Sequence, residues 1–274
     1  MQLHFTKMHG AGNDFMVLPW PNGVALPDAQ LVRRWADRRR GVGFDQLLLL
    51  SPAPTPDLDI AYRIFNADGA EVEQCGNGAR CIAQYLSVAG GRTELKLASP
   101  SGVVEARLSG SGEVSVSLGL PRFAPTADFL AGQREAERYR LRVAGRDVEF
   151  GAVSLGNPHA VIAVDSADAA PVGILGEAFQ TLREFPQGVN VGFMEIIDKR
   201  HLRLRVFERG VGETLACGTG AAAAVVVGRR WGLLDAIVQV DLPGGTLEVE
   251  SQGPESPLWL SGRTAAVYEG QITL

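Results

Sequence analysis

The stretch RIFNADGAEVEQCGNGA (residues 63–79) returns later in the chain as RVFERGVGETLACGTGA (residues 205–221). Aligned without gaps, the two stretches agree at seven of 17 positions, whereas average residue usage gives roughly one match by chance. The shared residues are an arginine, a phenylalanine, a glutamate and the run Cys-Gly-x-Gly-Ala. This match predicts an internal duplication, and therefore two related lobes with one cysteine in the same setting in each.

Cys75 and Cys217 are the matched cysteines. In each copy a run rich in Ile, Val and Phe leads into a turn, and the cysteine precedes an apolar stretch typical of a helix. Free N–H groups and the macrodipole at a helix N-terminus favour negative charge, so a thiolate is stabilised there. The neighbouring glycines would also let backbone N–H groups approach a carboxylate. One such cysteine alone is more often a buried structural thiol, but two matched thiols suit a reaction on both faces of one carbon.

A second pair of matches supports the duplication. Asn13 follows a glycine and lies 62 residues before Cys75, and Asn157 follows a glycine and lies 60 residues before Cys217. Each Gly-Asn pair opens a turn that an apolar strand follows.

The pattern of elements predicts the α+β class. Many short alternating runs read as strands, and each half has one long buried helix, from Cys75 to about Val88 and over residues 221–231. We therefore expect two pseudo-symmetric lobes, each a strand-rich sheet or barrel around a central helix, with an active-site cleft between them. The N-terminal lobe is placed at residues 1–118, to which residues 263–274 could return, and the C-terminal lobe at 119–262.

Composition narrows the class of protein. The chain has 274 residues and a net charge of −5, which gives no electrostatic case for nucleic acid or an anionic membrane as partner. Residues 1–10 lack the apolar core of a signal peptide, and the apolar stretch 221–227 is too short to span a bilayer. Three cysteines argue against a disulfide framework and for a reducing compartment. We expect a cytoplasmic protein.

Several motifs, in order over nearly the whole chain, resemble the diaminopimelate epimerase family. They are MHGAGNDF at 8–15, GFDQ at 43–46, FNADG at 65–69, CGNGARC at 75–81, GNPH at 156–159, ERG at 208–210 and ACGTG at 216–220. The resemblance implies a cofactor-independent isomerase, an epimerase that interconverts LL- and meso-diaminopimelate in lysine and peptidoglycan-precursor biosynthesis. It also implies two pseudo-symmetric lobes and a homodimer.

The resemblance assigns roles to residues by position. Cys75 and Cys217 match the acid and base, and His159 and Glu208 match residues that tune them. Backbone groups of Gly76, Asn77, Gly218 and Thr219 match the positions that hold the α-carboxylate. The other substrate-binding positions are Asn13, Gln46, Asn66, Asn157, Asn190, Glu208 and Arg209, and Tyr268 matches a position at the dimer interface.

The chemistry follows from the residue types as well. One cysteine as thiolate would remove the α-proton while the other, as thiol, donates a proton from the opposite face, so the two titrate as a coupled pair. Two thiols that flank one carbon could also oxidise to a disulfide when no substrate is bound. Arg209 is a candidate for a distal carboxylate, and Cys81 reads as core filling. His4, His9 and His201 have no metal-ligand spacing, so we expect no metal site. The resemblance implies that no cofactor is needed.

Three other functions stay open at this point. One is another isomerase of similar architecture, such as a proline racemase-like enzyme, although the many amide side chains favour a substrate with a second polar end. Another is a non-catalytic amino-acid-binding protein, which would bind diaminopimelate without exchanging its α-proton. The third is a thiol–disulfide redox protein, which the lack of Cys-x-x-Cys disfavours.

Overall fold

Strand-forming residues dominate both halves of the chain, and each half builds its strands around one long helix. A computed structural model describes residues 1–73, 75–253 and 255–274, apart from the side chain of Ala89. The chain divides into two compact units, Met1–Ser117 with Ser261–Leu274, and Leu118–Leu260. Seventeen strands and four helices are assigned in the described residues, which confirms the predicted α+β class.

Unit 1 contains two helices. Most of its strands come from the first half of the chain, and the last strand comes from the C-terminus. Its elements are β1 (Gln2–Gly10), β2 (Asn13–Pro19), α1 (Ala29–Ala36), β3 (Gln46–Ser51), β4 (Ile60–Asn66), β5 (Glu71–Val72), α2 (Gly76–Gly90), β6 (Glu94–Ser99), β7 (Gly102–Leu108), β8 (Glu113–Ser117) and, from Ser261 onward, β17 (Trp259–Thr273).

The strands of unit 1 form a closed ring. Strand β1 pairs with β2 in antiparallel fashion, and β2 runs parallel to β3. Strand β4 lies between β3, to which it is antiparallel, and β6, to which it is parallel. Strands β7 and β8 continue the ring, and β17 closes it by pairing with both β8 and β1. Helix α2 packs against β1, β2, β6, β7 and β8. A closed barrel leaves no free sheet edge and gives α2 an apolar wall around it.

After one additional strand, unit 2 has the same succession of elements as the first seven strands and two helices of unit 1. The elements of unit 2 are β9 (Tyr139–Val143), β10 (Arg146–Ser154), β11 (Pro158–Ala163), α3 (Val172–Phe179), β12 (Asn190–Asp198), β13 (His201–Glu208), β14 (Gly212–Thr214), α4 (Gly218–Arg230), β15 (Ile237–Leu242) and β16 (Gly245–Glu250).

The two units share one plan of strand pairing. The order β1 to β7 has antiparallel β1–β2, parallel β2–β3, antiparallel β3–β4 and β4–β5, parallel β4–β6 and antiparallel β6–β7. Strands β10 to β16 repeat this succession, from antiparallel β10–β11 and parallel β11–β12 to parallel β13–β15 and antiparallel β15–β16. Helices α1 and α3, and α2 and α4, also fall at matching places. The duplication predicted from the sequence is therefore confirmed in the fold.

The two long helices begin and end as their sequences indicate. Each starts directly after a matched cysteine, so Cys75 is the N-cap of α2 and Cys217 the N-cap of α4. Helix α2 stops where Gly91 takes the left-handed conformation (φ 67°) that glycine adopts without steric cost. Helix α4 is buried at every position from Gly218 to Gly228, as its apolar surface predicts. No helix in the described part of the chain is both long and apolar enough to span a membrane.

Candidate active site

The shared arginine and glutamate of the repeat form the same ion pair in both units. In unit 1, Arg63 Nε donates to Glu71 Oε1 at 2.6 Å, and in unit 2, Arg205 Nε donates to Glu213 Oε1 at 2.7 Å. Both pairs are bidentate, because a second guanidinium nitrogen reaches the other carboxylate oxygen. Each pair joins a long strand to the short strand that precedes the cysteine. In both units the cysteine therefore follows a hairpin of the same construction.

The second glycine of Cys-Gly-x-Gly lies close to the neighbouring strand in both units. A Cβ at Gly78 would lie 3.1 Å from Leu48 Cδ2, and a Cβ at Gly220 would lie 3.0 Å from Val206 Cγ2 and 3.2 Å from Cys217 Sγ. All three distances are shorter than ordinary van der Waals contact, so a Cβ at either position would require its neighbours to shift by a few tenths of an ångström. The glycine therefore lets the first turn of each helix seat against the sheet.

Cys75 is partly exposed and accepts a hydrogen bond from its own helix. The backbone N–H of Gly78 donates to Cys75 Sγ at 3.3 Å. The Cys75 thiol in turn donates to Asn13 Oδ1 at 3.8 Å. The Gly78 N–H at the helix N-terminus stabilises the thiolate, whereas the Asn13 oxygen stabilises the protonated thiol.

The predicted amide residues of unit 1 are joined in pairs. Gln46 and Asn66 are directly opposite on β3 and β4, and Gln46 Nε2 donates to Asn66 Oδ1 at 2.9 Å. Asn13 Nδ2 donates to Asp45 Oδ2 at 3.0 Å, which turns Asn13 Oδ1 toward Cys75. Asp45 thus fixes the orientation of a predicted substrate-binding amide, a role that the sequence interpretation missed.

Cys217 lies in a different electrostatic setting from Cys75. It is 4% exposed, and its Sγ lies 3.7 Å from Thr219 Oγ1. Burial raises the pKa of the Cys217 thiol well above its usual value, and the negative charge of Glu208 raises it further. Glu208 is held by Thr214, whose hydroxyl donates to Glu208 Oε1. The arrangement favours the protonated thiol at Cys217.

A chain of hydrogen bonds leads from His159 to Cys217. His159 Nε2 lies 3.0 Å from Asn157 Oδ1, and Asn157 Nδ2 donates to Thr219 Oγ1 at 3.3 Å. Burial, followed by the charge of Arg209, lowers the pKa of His159 to about 3. The imidazole is therefore neutral near pH 7, and it is linked to Cys217 through Asn157 and Thr219.

The remaining predicted residues of unit 2 surround the end of β13. Asn190 Oδ1 accepts from the backbone N–H of Arg209 at 2.9 Å, and Asn190 Nδ2 donates to the carbonyl of Pro158 at 3.3 Å. The Arg209 side chain is exposed, and its Nη1 contacts the carbonyl of Gln187 at 3.4 Å. Arg209 keeps most of its donors available for an anion.

Other expectations concern residues outside these contacts. Tyr268 is 46% exposed on β17 and packs edge-on against Phe5, with ring centroids 6.0 Å apart. Cys81 is fully buried, which confirms its interpretation as core filling. All three cysteines are free thiols. Among residues 1–73, 75–253 and 255–274, no three or more His, Cys, Asp or Glu side chains are grouped to hold a metal ion.

Comparison with known sequences identifies the same family as the motifs around the two cysteines. The profile of the diaminopimelate epimerase family matches residues 5–124 and 151–268. The diaminopimelate epimerase of Ectopseudomonas mendocina (strain ymp) is 49% identical over 276 residues, which cover 100% of both chains. The enzyme of the same name from Nitrosomonas europaea is also 49% identical over 276 residues, again covering 100% of both chains.

Solved structures share the fold at low sequence identity. A hydroxyproline epimerase from Agrobacterium vitis superposes with a TM-score of 0.72 at 17% identity, over 99% of this chain and 92% of that chain. A phenazine biosynthesis protein from Bacillus anthracis gives a TM-score of 0.69 at 17% identity, over 100% of both chains. These matches establish a common architecture, and the sequence matches are far closer and span whole chains. The protein is therefore a member of the diaminopimelate epimerase family.

Proposed function

We propose that this protein interconverts LL- and meso-diaminopimelate without a cofactor, and so supplies lysine and peptidoglycan-precursor biosynthesis. The observation that carries the proposal is the pair of cysteines, each the N-cap of the long helix in its own unit. Relatives named diaminopimelate epimerase, identical at nearly half of their positions over their whole length, support the choice of substrate.

The reaction needs one base and one acid. A thiolate removes the α-hydrogen as a proton, the bonding pair stays on the α-carbon, and the second thiol gives its proton to the opposite face. After one turnover the two sulfurs have exchanged protonation states, so the enzyme is ready for the reverse direction. Turnover therefore requires Cys75 and Cys217 to reach one α-carbon from opposite sides.

Charge on the carbanion must be stabilised while the proton is absent. The free N–H groups at the starts of α2 and α4, from Gly76, Asn77, Gly218 and Thr219, are donors for the α-carboxylate onto which that charge spreads. Arg209 is the candidate for the distal carboxylate, because its guanidinium is exposed and the amides of Asn157 and Asn190 lie in the same unit.

The remaining amides suit the charged groups of the substrate. The bond from Asn13 Nδ2 to Asp45 holds the Asn13 amide in one orientation. Its oxygen, Oδ1, can then accept a hydrogen bond from an ammonium group. Gln46 and Asn66 form a linked pair beside it in the same unit. Glu208 and His159 tune Cys217, the first by its charge and the second through Asn157.

We assign the protein to the reducing cytoplasm and to a homodimer. An odd number of cysteines, all free, suits a compartment that keeps thiols reduced. The candidate dimer surface is the outer face of β17 around Tyr268, where Val267 is 58% exposed and Tyr268 is 46% exposed. Light scattering on the wild type and on Tyr268→Glu tests this surface, and a monomeric wild type at micromolar concentration would contradict it.

Proton exchange tests the proposed reaction directly. The reduced protein is incubated with LL-diaminopimelate in deuterated water, and loss of the α-proton signal is followed by NMR alongside formation of the meso isomer. We expect exchange and epimerisation in the wild type and in Cys81→Ala, and near-complete loss of epimerisation in Cys75→Ala and Cys217→Ala. Binding without exchange would identify an amino-acid-binding protein instead, and exchange of proline in preference to diaminopimelate would reassign the substrate.

A further inference from the structure

The side-chain amide of Gln180 is bound at both its nitrogen and its oxygen. Gln180 directly follows α3, and its Nε2 donates to the carbonyls of Gly176 and Val189, at 2.9 Å in each case. Its Oε1 accepts from the backbone N–H of Val189 at 3.2 Å. These bonds fix the orientation of the amide, because a flipped amide would place its oxygen against two carbonyl oxygens. Gln180 therefore ties both backbone groups of Val189 to the last turn of α3.

The last turn of α3 has a fixed place beside β13. A Cβ at Gly176 would overlap the ring of Phe207, so the helix approaches the strand more closely than any other residue would allow. The carbonyl of Gly176 is also one of the groups that bind the Gln180 amide. Strand β13 ends at Glu208, directly before Arg209. The amide of Gln180 is therefore anchored beside the strand that leads into Arg209.

The segment that Gln180 holds contacts Arg209 twice. Val189 directly precedes Asn190, whose Oδ1 accepts from the backbone N–H of Arg209 at 2.9 Å. On the other side of Val189 in the chain, the carbonyl of Gln187 accepts from Arg209 Nη1 at 3.4 Å. Both the backbone and the guanidinium of Arg209 therefore depend on where this segment lies.

Gly188 brings the two side chains together. Its φ of 74° lies in the left-handed region that favours glycine. A Cβ at Gly188 would lie 2.7 Å from Gln180 Oε1 and 3.1 Å from Arg209 Cγ, so both side chains approach this residue closely. An exposed arginine has many rotamers unless packing restricts its stem. The contact with Gly188 supplies that restriction for Arg209, and the bonds of Gln180 keep Gly188 in place.

We propose that Gln180 is a positioning residue for Arg209, and that it holds the Arg209 guanidinium where the distal carboxylate of the substrate binds. This inference rests on the proposed function, in which Arg209 binds that carboxylate. Gln180 acts through the segment 187–190, because both of its amide hydrogens are taken by backbone carbonyls.

Four variants separate positioning from general stability. Gln180→Met keeps the length of the side chain and loses all of its hydrogen bonds. Gln180→Asn is milder, because its amide is one methylene shorter, and it replaces the methionine variant if circular dichroism shows that protein to be unfolded. Arg209→Met removes the guanidinium itself. Gln252→Met is the matched control, because Gln252 is an exposed residue of the same unit and its Nε2 donates to Glu250.

The first measurement is the steady-state rate of α-proton exchange of LL-diaminopimelate. Loss of a contact that binds substrate and transition state equally raises KM without changing kcat, whereas partial unfolding lowers kcat without changing KM. Arg209→Met should raise KM by about 10- to 100-fold, as expected for a lost charged hydrogen bond. Gln180→Met should raise KM by roughly 3- to 10-fold with kcat within about twofold of the wild type. The double variant should have the KM of Arg209→Met alone.

The second measurement needs no substrate. Amide hydrogen exchange, followed by NMR, reports on the N–H of Arg209, which is protected by Asn190 rather than by Gln180 itself. This N–H should exchange at least about tenfold faster in Gln180→Met than in the wild type and in Gln252→Met. An Arg209 amide with wild-type protection, or additive effects of Gln180→Met and Arg209→Met on KM, overturns the proposal. Faster exchange at Arg209 in a protein that does not bind diaminopimelate would support the positioning of Arg209 and overturn the proposed function alone.

Discussion

Adding one methyl group at Gly220 should reduce turnover more than stability. The new Cβ would lie 3.2 Å from Cys217 Sγ and 3.0 Å from Val206 Cγ2. Because Cys217 is 4% exposed, its sulfur cannot swing into solvent, and the contact is relieved by moving the thiol or the first turn of α4. A few tenths of an ångström is enough to restore ordinary contact.

The expected magnitudes follow from these distances. Overpacking a core typically costs about 1–3 kcal/mol, and alanine in place of a helical glycine returns about 0.5–1 kcal/mol. We therefore expect Gly220→Ala to lose roughly 1 kcal/mol of unfolding free energy. Misplacement of a reacting group by about 1 Å can cost about 100-fold in rate, so a smaller shift of the thiol should lower kcat by about tenfold.

The matching glycine of the other unit provides a comparison. A Cβ at Gly78 would meet Leu48 Cδ2 at 3.1 Å and Phe15 Cε1 at 3.4 Å, and no sulfur is among its three nearest atoms. Gly78→Ala should therefore lose similar stability, roughly 1 kcal/mol, with a smaller fall in kcat than Gly220→Ala. Gly90→Ala is the control for helix propensity, because nothing lies within 4 Å of its Cβ, and it should gain up to about 0.5–1 kcal/mol.

Urea unfolding and deuterium exchange of LL-diaminopimelate measure the two effects on the same samples. Equal losses of kcat in Gly78→Ala and Gly220→Ala would refute the argument from contact with the sulfur. So would a Gly220→Ala protein with the wild-type kcat.

Three further predictions concern single groups. Arg205→Met should lower the unfolding free energy by at most about 1 kcal/mol, since the ion pair with Glu213 is partly exposed. Arg63→Met should lower it by less, because Arg205 also donates to two backbone carbonyls. Urea unfolding of the two variants measures the difference. The pKa of His159 is lowered from 6.5 to about 3 on folding, so the unfolded chain binds more protons between these values; stability should fall as pH drops through this window, by up to about 1.4 kcal/mol per pH unit from this group. Unfolding free energies of His159→Gln that fall as steeply as those of the wild type would contradict that assignment. If both Cys75 and Cys217 reach one α-carbon, activity should fall on exposure to air and return with a thiol reductant; indifference to reductant would count against their proximity.

The repeated stretch predicted much of the fold because its shared residues are fixed by local geometry. The arginine and glutamate tie a hairpin, the second glycine allows a close approach of helix and strand, and the cysteine caps a helix. The helix predicted to about Val88 runs to Gly90, as far as the left-handed Gly91 allows. Helix α3 ends at Phe179, and Gln180 directly after it donates its side-chain amide to the carbonyls of Gly176 and Val189.

The electrostatic detail of the site was not predictable from local pattern. Arg80 lies within a motif that the sequence displays, but its burial depends on the carbonyl of Arg263 and on Gly10, whose Cβ would approach its Nη2 to 3.4 Å. Asp45 stands next to Gln46 in the sequence, yet its bond to Asn13 joins residues 32 positions apart. Contacts of this range depend on how the barrel closes, and no period or spacing in the sequence records them.

A duplicated fold creates a difficulty for a reaction that needs two unlike thiols. Two identical lobes would give both sulfurs the same tendency to ionise, so nothing in the protein alone would decide which of the two carries the proton. The protein keeps the duplicated hairpin, glycine and helix, which set where each sulfur lies, and changes the charges beside them. Glu208 lies beside Cys217, at a position where the first copy has the uncharged Asn66. The residues that differ between the repeats are therefore as informative about the chemistry as those that match, because the shared residues set where each sulfur lies and the differing residues set the charge beside it.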